Sequence, residues 1–409
     1  MSRFLSYLSV AGAALIGLAA LASLYLAADN IAIIAANLGV EPVSPAFADR
    51  DFANYWMAGR LVLSGETADL FGPQPGYFRH LTDVFGADYG WHNWSYPPTY
   101  LFFVAWTGLL SYSAAMLVFL VVSLVLFVWG ARVFAGPMTG SMTVMAWICL
   151  LPIIAHNIET AQNGFLTAGL ALASLGLRRT RPVAAGILIG LLAFKPQLGI
   201  VYPVLLLAER RWAVIGAAAA TVLVTGIVSL AVFGRDAWSG YLANVVPYQS
   251  TVMATLEGVF NAMLTSVFGA MRNWGEVFPS AIATHLALAG PLGLAGLVAL
   301  FRVQDDDDRA IIAILTTLVI TPYALSYDLG ILAGAMALLV SSRARSGHPL
   351  GLPWRELTVL TATLPILMIP AGRLGLPLAP VLIALMLVKV LADTGAFAGM
   401  TAGNSARTA

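Results

Sequence analysis

Charge is what this 409-residue chain has least of, since Asp, Glu, Lys and Arg together make up 10% of it. An ordinary water-soluble domain carries about a quarter. A chain so short of charge cannot turn most of its surface to water, so the soluble globular classes fall away. Cysteine is almost missing as well: Cys149 is the only one and sits in an apolar run, which excludes a disulfide framework and a cysteine metal site. The five histidines are scattered without the His-Glu-x-x-His spacing, so the residues predict no metal and no other cofactor. A net charge of +1 gives no bulk field for nucleic acid. Lysine is present only as Lys195 and Lys389, an arginine-for-lysine bias expected of a GC-rich bacterial genome.

What the chain has in quantity is apolar sequence. Hydrophobic residues make up 59% and the mean hydropathy is +0.85. Apolar stretches of about 15–25 residues alternate with short polar turns, the pattern of membrane-crossing helices. The roughly ten-residue alternating segments of a membrane barrel are absent. The expected fold is therefore all-α and polytopic, one domain over 1–409 with about twelve crossings. They are placed near 6–28, 113–133, 140–155, 164–177, 183–194, 197–208, 212–233, 282–301, 310–322, 328–341, 357–370 and 376–392. The stretch from Met1 to Leu38 is too long for a cleaved leader and reads as a retained first helix.

Arginine sets the orientation. Placing Arg3 in the cytoplasm and alternating puts 14 of the 21 basic residues inside, among them Arg132, Arg178, Arg179, Arg181, Arg210, Arg211, Arg302, Arg309, Arg343, Arg345, Arg355 and Arg407. The acidic run Asp305–Asp308 then falls inside and reads as a solvated loop. Counting Tyr96–Leu110 as a crossing would send Arg178–Arg181 outward, so this short apolar segment is expected to lie as an interfacial helix. Two long outer loops follow, 29–112 and 234–281. Loops of that length are usually functional.

The polar residues then gather on the outer face. Asp51 admits two readings, a helix cap or ion pair with Arg50 or Arg60, and a proton acceptor beside a membrane cavity. Asp49 makes an Asp-x-Asp pattern with it, a weak metal signal on a face that holds no nucleotide-sugar pool. Lys195, flanked by apolar residues, either snorkels to the interface or meets an anion, of which a lipid phosphate is the obvious candidate. His156, Glu159, Gln162 and Asn163 form a second polar knot suited to phosphate or sugar hydroxyls. Tyr327 and Asp328 either face the same cavity or cap the following helix. Trp91, Trp94, Trp238, Trp274 and Tyr241 read chiefly as an interfacial belt. Gly186 and Gly190 mark a close helix contact.

Together these segments resemble glycosyltransferase family 87. The resemblance rests on Asp51, Tyr55, Trp56, Ala58, Gly59 and Gly65, then Tyr96-Pro97-Pro98, Ala161-Gln162-Asn163-Gly164-Phe165-Leu166, Lys195-Pro196-Gln197 and Arg210-Arg211-Trp212. It implies a GT-C-like bundle in the bacterial cytoplasmic membrane with its active site facing the periplasm. It also implies a sugar carried on polyprenyl phosphate, mannose by default, and a glycolipid or glycan acceptor. Asp51 would be the general base of an inverting transfer. Lys195, His156 and Arg60 would hold the donor phosphate, and Tyr55, Tyr96, Gln162, Asn163, Tyr327 and Asp328 would line the substrate site. The mycobacterial members act on inositol-containing glycolipids, and nothing in this chain marks such an acceptor. The rival reading is a transporter or flippase for a lipid-linked sugar; it predicts internal repeats and polarity on both faces, and neither is seen.

Overall fold

The computed structural model describes residues 2–40, 42–137, 141–347 and 350–397; Arg407 lies outside them. Among the described residues the chain is helical throughout, the single β-bridge joining Leu264 to Leu325. A bilayer core offers no water to an open backbone, so apolar stretches must close their own hydrogen bonds as helices. Each of the twelve expected crossings coincides with a helix or a pair of successive helices. Among the described residues five helical stretches are long and apolar enough to span a membrane: Gly12–Ala36, Tyr112–Ala135, Thr143–Thr160, Trp212–Thr255 and Phe278–Arg302. Gly164–Leu177, Pro182–Phe194, Pro196–Ala208 and Leu364–Arg373 are apolar but shorter. At 1.5 Å per residue each rises about 15–21 Å, less than a bilayer core of about 30 Å. Leu18, Val125, Leu223, Ile227 and Leu286 stand more than 60% exposed on the long helices, as lipid-facing residues would.

Small residues let the helices close up. A Cβ on Gly130 would meet the Gly169 carbonyl at 2.5 Å, and one on Gly176 the Val133 carbonyl at 2.8 Å, so Tyr112–Ala135 and Gly164–Leu177 pack backbone to backbone. Gly186 and Gly190 do the same against Val214–Thr221 on the next long helix, the contact their spacing predicts. That helix carries Gly234 at φ 86°, a break that ends the crossing expected over 212–233.

The contacts sort the connections into two sets. Arg178 bonds Glu209 and the Asp306 carbonyl, Arg179 pairs with Asp306, Arg343 with Asp308 and Arg345 with Asp307. The acidic run is therefore no free loop. Asp305 caps the Asp306–Ile320 helix by accepting from the Asp308 N–H at 2.8 Å, and the following aspartates, favoured at a helix N-terminus, meet the arginine turns. Arg50 meets Asn30 and Glu159, Tyr55 meets Gln162, Lys195 meets Asp328, and Thr321 meets Gln197, which joins the other set.

The loop 29–112 is itself largely helical, with Phe52–Ser64 and Gln74–Phe85 as its longest pieces beyond the first helix. The segment expected as one interfacial helix is three short turns instead, Pro98–Tyr100, Leu101–Val104 and Ala105–Leu109. It packs on Phe52–Ser64 where Gly108 lies against Gly59, so closely that a Cβ on either would meet backbone at 2.5–2.6 Å. Thr107 seals the contact by donating to the Tyr55 carbonyl at 3.0 Å.

Candidate active site

Asp51 stands at the N-cap of Phe52–Ser64, yet its side chain makes no capping bond. Neither arginine expected as its partner takes it. Arg50 turns away, donating to Asn30 Oδ1 at 2.9 Å and to the carbonyls of Ile158 and Glu159 at the end of the Ser141–Thr160 helix. Arg60 is exposed and lies over the Trp56 ring at 4.8 Å, more than two helical turns from Asp51. Arg60 is thus not brought to the site. The carboxylate of Asp51 stays one-third exposed, with His92 Nδ1 as its neighbour at 3.7 Å.

One turn further along, Tyr55 is fully buried. Its hydroxyl donates to Gln162 Oε1 and lies 3.0 Å from the Tyr96 hydroxyl, which is itself 3.3 Å from the same oxygen. Gln162 Oε1 also accepts the Asn163 backbone N–H at 2.8 Å, and Asn163 Nδ2 donates to the Tyr100 hydroxyl at 3.1 Å. Four residues predicted from three separate motifs therefore form one network. The turn that presents Gln162 and Asn163 is tight: Ala161 holds φ 49°, a left-handed conformation costly for a residue with a Cβ.

The third group is built around the turn 322–328. Lys195 Nζ donates to Asp328 Oδ1 at 2.7 Å, both side chains almost fully buried, and sits 4.8 Å from the centre of the Tyr327 ring. The chain itself thus supplies an anion for the lysine, and Asp328 pairs rather than merely capping. Its other oxygen accepts the Leu325 N–H at 3.3 Å. His156 lies with Nδ1 3.1 Å from Glu159 and Nε2 2.8 Å from Ser326 Oγ. Asn157 donates to the Tyr327 carbonyl at 3.1 Å, an approach open only because residue 164 is glycine, where a Cβ would lie 2.0 Å from that carbonyl oxygen.

Electrostatics tie the groups together. Burial pushes the phenols of Tyr55, Tyr96 and Tyr327 well above the usual tyrosine range, and the charge of Asp51 adds to all three. The charge of Asp328 adds to Tyr96 and Tyr327 as well. The charges of two carboxylates from distant parts of the chain therefore act on the same phenols, which remain neutral hydroxyl donors. Tyr100, Asn157, Tyr323 and Ser326 complete the surroundings without having been singled out beforehand. Trp94, one of the belt candidates, is wholly buried and spends its indole N–H on the Tyr96 carbonyl at 2.8 Å. Trp91 and Trp274 are exposed as a belt requires.

A carboxylate, a set of neutral hydroxyl and amide donors and a buried lysine suit transfer of a polar group between hydroxyls. Residues 94–326, more than half of the chain, match the family model described as Glycosyltransferase family 87. The match contains Tyr96, His156, Gln162, Asn163 and Lys195, while Asp51, Tyr327 and Asp328 flank it. No curated protein and no solved structure matches the chain. The chain belongs to glycosyltransferase family 87 and is a membrane glycosyltransferase.

Proposed function

We propose that the protein moves a hexose, mannose by default, from polyprenyl phosphate to an acceptor hydroxyl, with inversion, on the periplasmic face of a bacterial cytoplasmic membrane crossed about twelve times. The observation that carries this reading is the Asp51 carboxylate: it heads a helix, no cap and no arginine consumes it, and it shares its tyrosines with the Lys195–Asp328 pair. Asp51 takes the proton from the acceptor oxygen as that oxygen attacks the anomeric carbon. The bond from that carbon to the phosphate oxygen breaks, and polyprenyl phosphate leaves with the electron pair. Lys195 has three N–H donors and gives one to Asp328, so two remain to meet the departing phosphate, with His156 beside the same turn. Tyr55, Tyr96, Gln162 and Asn163 orient the sugar. The exposed Arg60 has no part in this arrangement.

A lipid-linked donor is supported by an apolar cavity of about 350 Å³ walled by Pro97, Phe102, Phe194, Pro196, Val222 and Trp238. Pro97 follows Tyr96 in the chain and Phe194 and Pro196 flank Lys195, so a chain lying there ends its polar head among the site residues. The opposite wall belongs to the long helix from Trp212, which faces lipid. The test is transfer from radiolabelled polyprenyl-phosphate mannose to envelope glycolipids by the purified protein. Asp51→Asn is expected to abolish transfer while leaving folding and donor binding intact, and near-normal turnover would remove Asp51 from the mechanism. Movement of the lipid across vesicles without its consumption would favour the flippase reading instead.

A further inference from the structure

His92 lies outside the mechanism just given, yet its placement next to Asp51 is built rather than incidental. The ring stacks on Tyr89, with centroids 5.2 Å apart and planes at 26°. Its Nε2 is 3.0 Å from Asp49 Oδ1, and its Nδ1 is 3.7 Å from Asp51 Oδ1. The imidazole therefore stands between two carboxylates that are two residues apart in sequence. Its own side chain is 17% exposed, whereas that of Asp49 is 64% exposed. Tyr89 is held in turn by its hydroxyl, which donates to the Ala48 carbonyl at 3.0 Å. A ring stacked on one side and hydrogen-bonded at one nitrogen has its second nitrogen aimed by construction.

Once a donor and an acceptor cover the exposed third of Asp51, the proton it has gained needs another way out. Behind it lies buried Tyr55, whose phenol is driven far above the range in which it releases a proton. The open direction is through His92 to Asp49 and solvent. We propose that His92 is the positioning residue of the base: it fixes the Asp51 carboxylate, receives its proton after each transfer, and passes it to water past Asp49. This rests on Asp51 being the base.

The step balances. The acceptor hydroxyl loses its proton to Asp51. The O–H bond of the Asp51 carboxyl then breaks as an N–H bond forms at His92 Nδ1, which restores the carboxylate and leaves an imidazolium between two anions. The imidazolium releases its Nε2 proton to bulk water at the exposed Asp49 edge, and exchange with water returns the remaining proton from Nδ1 to Nε2, so that Nδ1 accepts again in the next turnover. No oxidant or further reactant takes part. The 3.7 Å gap is an ion-pair distance without substrate, and such contacts commonly tighten in the loaded enzyme.

The ring accepts a proton only while it is neutral. The groups facing it are Asp51, Asp49 and the Tyr89 ring; Arg50, between the two aspartates in sequence, is turned to Asn30. Burial pulls the histidine pKa down, but the neighbouring carboxylates, Asp51 first and then Asp49, outweigh it and hold the value above the ordinary 6.5. Transfer should accordingly fail on the acid side in the histidine range.

The experiment measures steady-state transfer by the full chain in lipid nanodiscs, with polyprenyl-phosphate mannose as donor, from about pH 5.5 to 8.5. Wild type is expected to lose kcat as the pH falls through the raised histidine value. His92→Gln should lower kcat about 100-fold, within the usual range for a proton-transfer group, with the donor KM unchanged and that acid limb gone. Asp49→Asn should shift the limb to lower pH, and free imidazole should restore part of the activity of His92→Gly. An inactive Asp51→Asn beside a His92→Gln variant with wild-type kcat and pH profile would overturn the relay and leave the base in place. An active Asp51→Asn would bring down the base itself. Should His92→Gln not fold, Asp49→Asn and the imidazole rescue decide the question alone.

Discussion

Removing one member of the Lys195–Asp328 pair should unsettle the protein far more than removing both. The two groups meet at 2.7 Å with side chains 7% and 2% exposed, so neither can turn to water when its partner is lost. Lys195→Met leaves a buried carboxylate with only the Leu325 N–H for company, and such an orphaned charge costs about 3–5 kcal/mol. Asp328→Leu strands the buried ammonium beside the Tyr327 ring and should likewise cost about 3–5 kcal/mol. In Lys195→Met with Asp328→Leu both charges go together, and apolar replacement of a buried pair is often neutral. That double variant loses the acceptor for the Leu325 N–H, about 1 kcal/mol. It should therefore be more stable than Lys195→Met by roughly 2–4 kcal/mol, the difference between those costs. Unfolding by SDS titration in mixed micelles reads all four corners of the cycle. Transfer assays on the same samples separate stability from chemistry, because the double variant should refold its site and still use the donor poorly. Effects that add to within about 0.5 kcal/mol would show that the two charges do not interact and would refute the argument.

Other outcomes follow from single contacts. Gly164→Ala forces a Cβ against the Tyr327 carbonyl and the Asn157 side chain, and overpacking of this kind costs about 1–3 kcal/mol, seen as lower thermal stability with turnover falling alongside. Gly226→Trp fills the apolar cavity beside Val222, and is expected to raise the KM for long-chain donors more than for short-chain analogues, a gap that kinetics with both would expose. The His92 pair holds a histidine pKa above its unfolded value, so its contribution to stability is full below about pH 6.5 and fades as the pH rises through the raised value. The melting-temperature gap between wild type and His92→Gln should therefore be wider at pH 6 than at pH 8.

Much of the helical frame was legible because bilayer helices announce themselves by apolar length, and arginine turns by charge. Gly186 and Gly190 likewise declare a contact through spacing alone. What spacing cannot show is the partner of a residue far along the chain. Lys195 plainly required an anion, but Asp328 lies 133 residues away, and nothing local joins them. Asp305–Asp308 looked like a solvated run because its arginine partners sit in two other turns, around Arg179 and around Arg343. Arg50 and Arg60 flank Asp51 on paper, whereas helix geometry sends one to Asn30 and the other onto Trp56. His92 carried no signal beyond being a histidine among aromatics, since its meaning comes from Asp49, 43 residues earlier. The apolar segment 96–110 was readable as non-spanning but not as three turns, because its shape is set by the Gly59–Gly108 contact rather than by its own pattern.

The distance along the chain between Lys195 and Asp328 has a consequence for biosynthesis. At about 5–20 residues per second, the ribosome needs on the order of ten seconds to make the 133 residues that separate them. Throughout that interval the ammonium has already been delivered to the bilayer and its counter-charge does not yet exist. A nascent chain is therefore expected to keep Lys195 within reach of water or another anion until Asp328 has been made.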